Sequence, residues 1–231
     1  MEKIRTRASD RIVKKKGIGY ILGDNGKVKK HKPWLGDMFS FLYDRIMQKS
    51  VFPKKFRASI DLHYKILKEE FEDIRNSRVI EFATGSGDAV KYLDNDNLYA
   101  GVDISAGLLR IARRRFDSFL FTDSELYVAD TCDTPFEDNS FDFAFCNLSL
   151  NFFEDIDRFI SEIYRILKPG GTFFCSAPVP ERKTTKAVIH GKLYTAEDLK
   201  ERFENHGFSF EALPYTNGAL FYFSASRIFE S

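Results

Sequence analysis

The segment RVIEFATGSGDAVKYL, residues 78–93, places an apolar run with one carboxylate, Glu81, directly before Gly85 and Gly87. A short apolar run bounded by turn residues is typical of a buried strand. Glycines that follow a strand either permit a tight turn or let the backbone come close to a ligand. The neighbouring segments of the chain are needed to decide between these two interpretations.

Composition predicts one globular domain with no strong electrostatic preference for a partner. The chain has 231 residues, a net charge of +1, 43% hydrophobic residues and 30% charged residues, as expected for a single domain with a sizeable core. Cys132, Cys146 and Cys175 are far apart and form no C-x-x-C pair. This spacing argues against a zinc site or a disulfide scaffold and suits a reducing compartment.

The sequence shows no pattern typical of a signal peptide and no apolar run of the roughly 20 residues that a transmembrane helix needs. We therefore expect a cytoplasmic protein without a transmembrane segment or a bound metal. The sequence leaves the oligomeric state open.

Charge is uneven along the chain, because residues 1–33 are rich in lysine and arginine. We expect a solvated basic arm here, in preference to a nucleic-acid-binding segment. Asn25-Gly26 also permits a small hairpin over residues 19–30. The rest of the chain, residues 34–231, is then one domain, which begins with aromatic-rich cover helices over residues 34–75.

Residues 78–231 form the core of this domain in our prediction, because strand and helix patterns alternate there. Such alternation indicates a largely parallel α/β sheet with helices on both faces. Only residues 215–218 separate the last two strands, which is too short for a crossover, so we expect an antiparallel last strand. The sequence predicts seven strands, over residues 78–84, 98–104, 125–130, 141–147, 171–178, 208–214 and 219–228.

In a parallel sheet of this kind, ligands bind beyond the carboxyl ends of the strands. The G-x-G of residues 85–87 lies at such an end, but dinucleotide-binding enzymes use this pattern too. Their fingerprint continues with a third small residue, which here would be Val90. A branched side chain at that position would crowd the helix against the strand, which weakens the hypothesis of a nicotinamide cofactor without eliminating it.

Carboxylates at three successive strand ends are the stronger signal. Glu81 lies within the first predicted strand of the core, Asp103 near the end of the second, and Asp130 at the end of the third. A carboxylate can accept hydrogen bonds from both hydroxyls of a ribose or from an exocyclic amine. Each acid alone could merely cap the following helix, but capping does not readily account for all three.

Together these segments resemble the class I S-adenosylmethionine-dependent methyltransferases of the broad small-molecule type, over residues 56–228. VIEFATGSG is similar to the first motif of that family, and GVDIS to the strand that ends in the ribose-binding acid. VADTCDTPFEDNSFDFAFCN and EIYRILKPGGTFFCSAP are similar to its later motifs. The resemblance implies a Rossmann-like fold. One departure is Ala83, where the family often has glycine.

The resemblance also implies S-adenosyl-L-methionine as cofactor, with a role for each matching residue. Asp103 would hold the ribose and Ile104 would pack against the adenine. Asp130 would accept a hydrogen bond from the adenine amine, and the Thr131 backbone N–H would donate to the ring. The methionine end would lie among Glu81, Ala83, Gly85, Gly87 and Asn147.

The methyl acceptor is expected to be a small molecule, partly apolar or aromatic, bound between residues 34–56 and 178–194. Tyr43 is a candidate to pack against it and hydrogen-bond to it. His190 is a candidate base, although a surface histidine without catalytic role is the simpler interpretation, and His63 is expected to be structural. Aromatic residues cluster around this predicted pocket, and at least half of them should be core: Trp34, Phe39, Phe41, Tyr43, Phe52, Phe56, Phe152, Phe153 and Tyr194.

Two other functions stay open on the sequence alone. One is an RNA or protein methyltransferase that uses the basic N-terminal arm. Residues 147–155, NLSLNFFED, lack the N-P-P-aromatic motif of enzymes that methylate amino groups of nucleic acids, which argues against a nucleic-acid substrate. The other is a catalytically silent protein that binds S-adenosylmethionine.

Overall fold

The computed structural model describes residues 3–29, 31 and 43–229, and for Tyr43 only the backbone. The strands in this part of the chain belong to one sheet with the order β1-β2-β5-β4-β3-β6-β7-β9-β8. They are β1 Ile12–Lys15, β2 Ile18–Ile21, β3 Arg78–Phe82, β4 Leu98–Asp103, β5 Ser124–Val128, β6 Phe141–Asn147, β7 Leu167–Pro178, β8 Phe208–Ala212 and β9 Leu220–Arg227.

The strand directions confirm the predicted α/β fold. Strands β2, β5, β4, β3, β6 and β7 run parallel to one another, whereas β9 is antiparallel to both β7 and β8. The seven predicted strands correspond to β3–β9. The predicted number is nevertheless wrong, since the described residues contain nine strands, and the two additional ones come from the N-terminal segment.

Helices cover both faces of the sheet, and polar side chains begin four of them. Ser59, Ser105, Asp155 and Thr195 each accept a hydrogen bond from the backbone N–H three residues later, which satisfies one of the free donors at a helix start. The α-helices are α1 Tyr43–Ile46, α2 Ile60–Glu70, α3 Ala106–Ser118, α4 Ile156–Ile166 and α5 Ala196–Asn205, with a π-helical segment at Met47–Phe56 and 3-10 turns at Asp88–Lys91, Leu150–Phe152 and Pro180–Arg182.

The apolar run that opened the sequence analysis is buried on both faces of the sheet. Val79 packs with α2 and α3, whereas Ile80 packs with α4 on the opposite face, and both are fully buried. Successive side chains of a strand point to opposite faces, so a strand covered on both sides is apolar without alternation. This explains why β3 shows no polar face in its sequence.

The described part of the predicted basic arm, residues 1–33, contributes two strands to the sheet. Strands β1 and β2 form an antiparallel hairpin, and β2 pairs in parallel with β5, with Ile18 opposite Leu126. Ile18 and Ile21 are buried, which stabilises this docking. A solvated arm was therefore the wrong expectation for residues 12–21. The predicted boundary between residues 33 and 34 lies outside the described residues.

The turn that joins β1 to β2 also differs from the one predicted. It lies at Lys16 and Gly17, which both have positive φ. The predicted turn at Asn25-Gly26 forms after β2, where Leu22 and Val28 make a single antiparallel bridge.

None of the helices in the described ranges combines the length and apolar character that a membrane-spanning helix requires.

We predict that Ile18→Ala lowers the free energy of unfolding by about 2–5 kcal/mol, because it removes a buried side chain from the contact between the hairpin and β5. Urea denaturation measures this change. Lys15→Ala, at an exposed position of the same hairpin, is the control and should change stability by less than about 0.5 kcal/mol. Equal stability of the two variants would contradict the packing of the hairpin on the sheet.

Candidate functional site

The loop after β3 is tied to the end of β4 by one carboxylate. Asp103 is buried, and its two oxygens accept hydrogen bonds from the backbone N–H groups of Gly85, at 2.8 Å, and Ser105, at 2.7 Å. The first bond joins two neighbouring strands of the sheet, and the second places the start of α3. Asp103 therefore fixes the geometry of two loops at the carboxyl edge of the sheet.

The backbone conformation of this loop explains its small residues. Ala83, Gly85 and Gly87 have φ values of 54°, 58° and 82°, in the left-handed region that side chains rarely adopt. A Cβ atom on Gly87 would lie 2.9 Å from Cα of Ala112, so that α3 could not pack as it does. Ala83 shows that a methyl group is accommodated at the first of these positions.

Below the loop, Glu81 lies in a buried chain of hydrogen bonds. Tyr99 donates to one oxygen of Glu81, and Tyr92 donates to the other at 3.4 Å. Asn147 donates to the Tyr92 hydroxyl at 3.3 Å and accepts from Ser176 at 2.8 Å. Side chains from β3, β4, β6 and β7 thus hold one carboxyl group in a defined position.

The environment of Glu81 favours its neutral form. Burial raises the pKa of Glu81 to about 8, Asp88 and Asp103 act in the same direction, and the hydrogen bonds from Tyr99 and Tyr92 oppose them. Among the described residues, no cation offsets the burial of this carboxyl group. A ligand with a positive charge placed against Glu81 would supply one and favour the carboxylate.

The predicted adenine-binding residues lie farther along the same edge. Ile104 is 37% exposed, which leaves an apolar side chain open beside Asp103. Asp130 is half-buried, accepts a hydrogen bond from the Cys132 N–H at 2.9 Å and precedes the buried Thr131. An exposed apolar side chain beside one carboxylate, with a second carboxylate after the neighbouring strand, suits a flat heterocycle joined to a sugar.

A cavity of about 60 Å³ lies between these strand ends and the N-terminal helices. The cavity opens to solvent at the edge of the sheet. The strand side of the cavity is lined by Glu81, Ala83, Thr84, Gly85, Ser86, Asp88, Tyr92, Asn147 and Leu148, and the helix side by Met47, Phe52, Ile60, His63 and Tyr64.

Arg115 of α3 connects the helix side of the cavity to the strand side. Its guanidinium forms ion pairs with Asp44 of α1 and with Asp88 of the 3-10 turn that follows the glycine loop. Asp44 also accepts a hydrogen bond from Ser86 at 2.7 Å. Burial acts to raise the pKa of Asp44, but the hydrogen bonds from Ser86 and Arg115 lower it, so that this carboxylate stays charged and paired.

The two predicted acceptor residues are not brought together by the described geometry. Tyr43 is the first residue of α1, and its side chain lies outside the described residues. His190 is exposed and is not among the residues that line the cavity. Their catalytic roles stay predictions, as do the cofactor-binding roles of the residues placed above.

The expectation that many of the predicted pocket aromatics belong to the core holds for three of the described ones. Phe52, Phe56 and Tyr194 are buried, Phe153 packs on the ring of Phe159, and Phe152 is 47% exposed. Trp34, Phe39 and Phe41 lie outside the described residues.

Sequence analysis missed four side chains that shape the site. Tyr92 and Tyr99 orient Glu81, Arg115 joins two acids, and His63 lies in the wall of the cavity. Their positions in the sequence show no common pattern. Tyr99 lies on β4, Tyr92 follows the 3-10 turn, and the packing of α2 and α3 on the sheet brings His63 and Arg115 to the site. The motif residues were easier to find because they follow the strands directly.

Comparison with known proteins agrees with this geometry. A family described as "Methyltransferase domain" matches residues 80–175, which contain the glycine loop and the ends of β3 to β6. A demethylmenaquinone methyltransferase of Symbiobacterium thermophilum is 39% identical over 103 residues, which are 42% of this chain and 41% of that protein. A ubiquinone/menaquinone biosynthesis C-methyltransferase UbiE of Rickettsia felis is 35% identical over 128 residues, or 51% of each chain. The chain thus spans about half the length of these relatives or less.

Among solved structures, phosphoethanolamine N-methyltransferase 2 of Haemonchus contortus in complex with S-adenosyl-L-methionine has a similar fold. Its TM-score is 0.63 at 18% identity, over 83% of this chain and 57% of that one. At this identity the similarity concerns the fold alone. It confirms the Rossmann-like architecture inferred from the sequence.

We predict that the pH dependence of stability reports the buried Glu81. Its pKa is 4.5 in the reference state and about 8 in the folded protein, so between these values the folded state keeps a proton that the unfolded state has released. The contribution of Glu81 to stability is therefore full below about pH 4.5 and is lost as the pH rises through about 8. Glu81→Gln, neutral at every pH, should lose less stability than the parent between about pH 5 and pH 8.

Urea denaturation of both proteins at several pH values measures the difference. Glu204→Gln, at an exposed position of α5, is the control and should follow the parent. A constant difference between Glu81→Gln and the parent across this range would show that the Glu81 pKa is ordinary.

Proposed function

We propose that this chain, a class I S-adenosylmethionine-dependent methyltransferase, transfers a methyl group to a small-molecule acceptor. The observation that carries the proposal is the carboxyl edge of the sheet, where Asp103 organises the glycine loop and Glu81 lies buried without a cation. The cofactor would supply a methyl group on a sulfonium, which passes in line to the acceptor nucleophile as the carbon–sulfur bond breaks. The protein then has to bind the cofactor and the acceptor, align the two and exclude water.

The donor and acceptor groups at this edge fit S-adenosyl-L-methionine. Asp103 would accept hydrogen bonds from the ribose hydroxyls, and the exposed Ile104 would pack against the adenine. Asp130 and the Thr131 N–H would bind the polar edge of the ring. These roles follow the positions of the residues along the ends of β4 and β5.

The methionine end would lie in the cavity against Glu81 and Asn147. Its ammonium group is the cation that the buried carboxyl lacks, so binding would favour ionised Glu81. Ala83, Gly85 and Gly87 have left-handed conformations and carry at most a methyl group. The cofactor could therefore lie close to the backbone of this loop.

For the acceptor we propose a partly apolar or aromatic molecule, bound between the N-terminal helices and residues 178–194. The names of the two relatives point to quinones, and the helix side of the cavity offers Met47, Phe52 and Ile60. Tyr43 and His190 remain candidates for contact with the acceptor. His190 could act as a base only if its loop folds over the cavity.

The alternatives are less well supported. Arg7 and Lys14 of the basic segment are paired with Asp133 and Glu125, which leaves less positive charge for RNA phosphates. A silent cofactor-binding protein would give no methyl transfer. A cytoplasmic location is part of the proposal and follows from the composition of the sequence.

We predict that Asp103→Ala weakens S-adenosylmethionine binding about tenfold or more, measured by calorimetry. Hydrogen bonds to a charged group contribute about 1.5–3 kcal/mol, and the loop that Asp103 holds would also loosen. Asp130→Ala should have a smaller effect because the adenine keeps its apolar contact. Asp96→Ala, at an exposed position before β4, is the control. Binding of the Asp103 variant at parental affinity, with an unchanged circular dichroism spectrum, would place the ribose elsewhere.

We also predict methyl transfer from tritiated S-adenosylmethionine to a small acceptor. The assay compares reduced demethylmenaquinone, a pool of small phenols and amines, total RNA and a protein extract. Label in the small-molecule samples supports the proposal. Label in RNA or protein alone, or binding without transfer to any sample, would favour one of the alternatives.

A further inference from the structure

We propose that His63 binds the methyl acceptor by donating its Nε2–H to an oxygen atom of that molecule. The inference rests on the proposed function and deepens it, because it selects acceptors that carry an oxygen close to the methylated atom. His63 lies on α2, is 2% exposed and lines the cavity on the side opposite Glu81 and Asn147.

The tautomer of His63 follows from the hydrogen bonds behind it. Asn217 is oriented by Ser59, whose N–H donates to Oδ1 at 2.8 Å and whose carbonyl accepts from Nδ2 at 2.9 Å. The same Nδ2 donates to the Tyr222 hydroxyl at 3.1 Å. The Tyr222 oxygen thus already accepts one hydrogen, and its own hydrogen needs an acceptor.

Nδ1 of His63 lies 3.0 Å from the Tyr222 oxygen, and we assign it as the acceptor of this hydrogen. An imidazole nitrogen that accepts carries no hydrogen, so the hydrogen of the neutral ring is on Nε2. Burial lowers the pKa of His63 to about 3, which keeps the ring neutral at physiological pH. The hydrogen bonds among Ser59, Asn217 and Tyr222 therefore place the hydrogen-bond donor of His63 at Nε2.

Nε2 has no hydrogen-bond partner among the described residues, although its ring is almost completely buried. This nitrogen is not one of the fully buried polar atoms without a partner in the described ranges, so the small exposed part of the side chain leaves Nε2 open to the cavity. Phe52 and Tyr64 pack beside the ring, with centroids 5.4 Å and 5.9 Å away, and limit its rotation. The donor is thus preoriented within the wall of the cavity.

The other polar side chain on this wall is already engaged. The Tyr64 hydroxyl donates to Asp88 at 2.5 Å and accepts from Lys91 at 2.9 Å. Met47, Phe52 and Ile60 complete the wall and are apolar. His63 is therefore the group on this wall that can recognise a polar atom, and it recognises an acceptor of hydrogen bonds. A phenolate, an enolate or a carbonyl oxygen fits it, whereas an ammonium group does not.

The first test detects the donor without catalysis. In protein labelled with ¹⁵N, the His63 ring should carry its hydrogen on Nε2, with the signal assigned by its loss in His63→Gln. With S-adenosylhomocysteine present, p-cresol should shift the Nε2 signal and toluene, which lacks only the hydroxyl, should not. A hydrogen on Nδ1, or equal shifts from both probes, would overturn the proposal.

The second test measures affinity for p-cresol. His63→Leu should weaken it about tenfold, and His63→Gln, which keeps an N–H, should weaken it less. Tyr222→Phe should weaken it as well and yield a mixture of the two His63 tautomers, whereas His206→Gln, at the end of α5, is the matched control. Equal losses in the Leu and Gln variants would mean that His63 acts only through packing.

These tests separate the inference from the function on which it rests. If the protein fails to bind S-adenosylhomocysteine, the proposed function is wrong, and the p-cresol and toluene comparison without cofactor still decides whether His63 recognises oxygen. If the cofactor binds but His63→Leu retains full affinity for p-cresol, the cofactor site stands and the role of His63 is wrong.

Discussion

The bonds from Asp103 to the backbone of Gly85 and Ser105 are the interaction on which the rest of the site depends. They connect the ends of two adjacent parallel strands, so that the glycine loop and the start of α3 have one fixed relation. That relation brings Ala112 against Gly87 and Arg115 within reach of Asp88. Without the carboxylate, two backbone donors at the edge of the sheet would lose their partner.

The charges of the site are divided between two environments. Glu81 is buried among hydroxyl groups and has a raised pKa, whereas Asp44 and Asp88 share Arg115 at the edge of the cavity. A cation that enters the cavity would therefore meet two carboxyl groups that are already paired and one, Glu81, for which the described part of the chain supplies no counter-ion. The arrangement directs a positive ligand group toward the base of the cavity, beside Asn147.

In the proposed function, the N-terminal helices would link the cofactor side of the cavity to recognition of the acceptor. The Arg115 ion pair with Asp44 holds α1 against the glycine loop, and α2 presents His63 to the same cavity. His63, the donor proposed to face the acceptor, lies on α2, and Asp44, the partner of Arg115, lies on α1. Both belong to the N-terminal helices beside the cavity.

Much of the fold follows from local sequence. Apolar runs bounded by glycine and polar residues located β3 to β9, and Ser59, Ser105, Asp155 and Thr195 begin four of the helices. The motif acids were found for the same reason, since a residue that ends a parallel strand must lie at the carboxyl edge of the sheet. The hairpin β1–β2 was not predicted as part of the sheet, because its short strands become stable only when Ile18 and Ile21 pack beside β5.

The sequence by itself determined the α/β fold, the glycine loop and the acids at the strand ends, because each depends on residues that are close together in the chain. Tertiary structure decided the pairing of Tyr92 and Tyr99 with Glu81, the bridge from Arg115 to Asp44, and the orientation of His63 by Tyr222. Tyr222 lies 159 positions from His63 in the chain, and Arg115 lies 71 positions from Asp44. Contacts over such separations arise from the packing of helices on a sheet, which local sequence patterns do not encode.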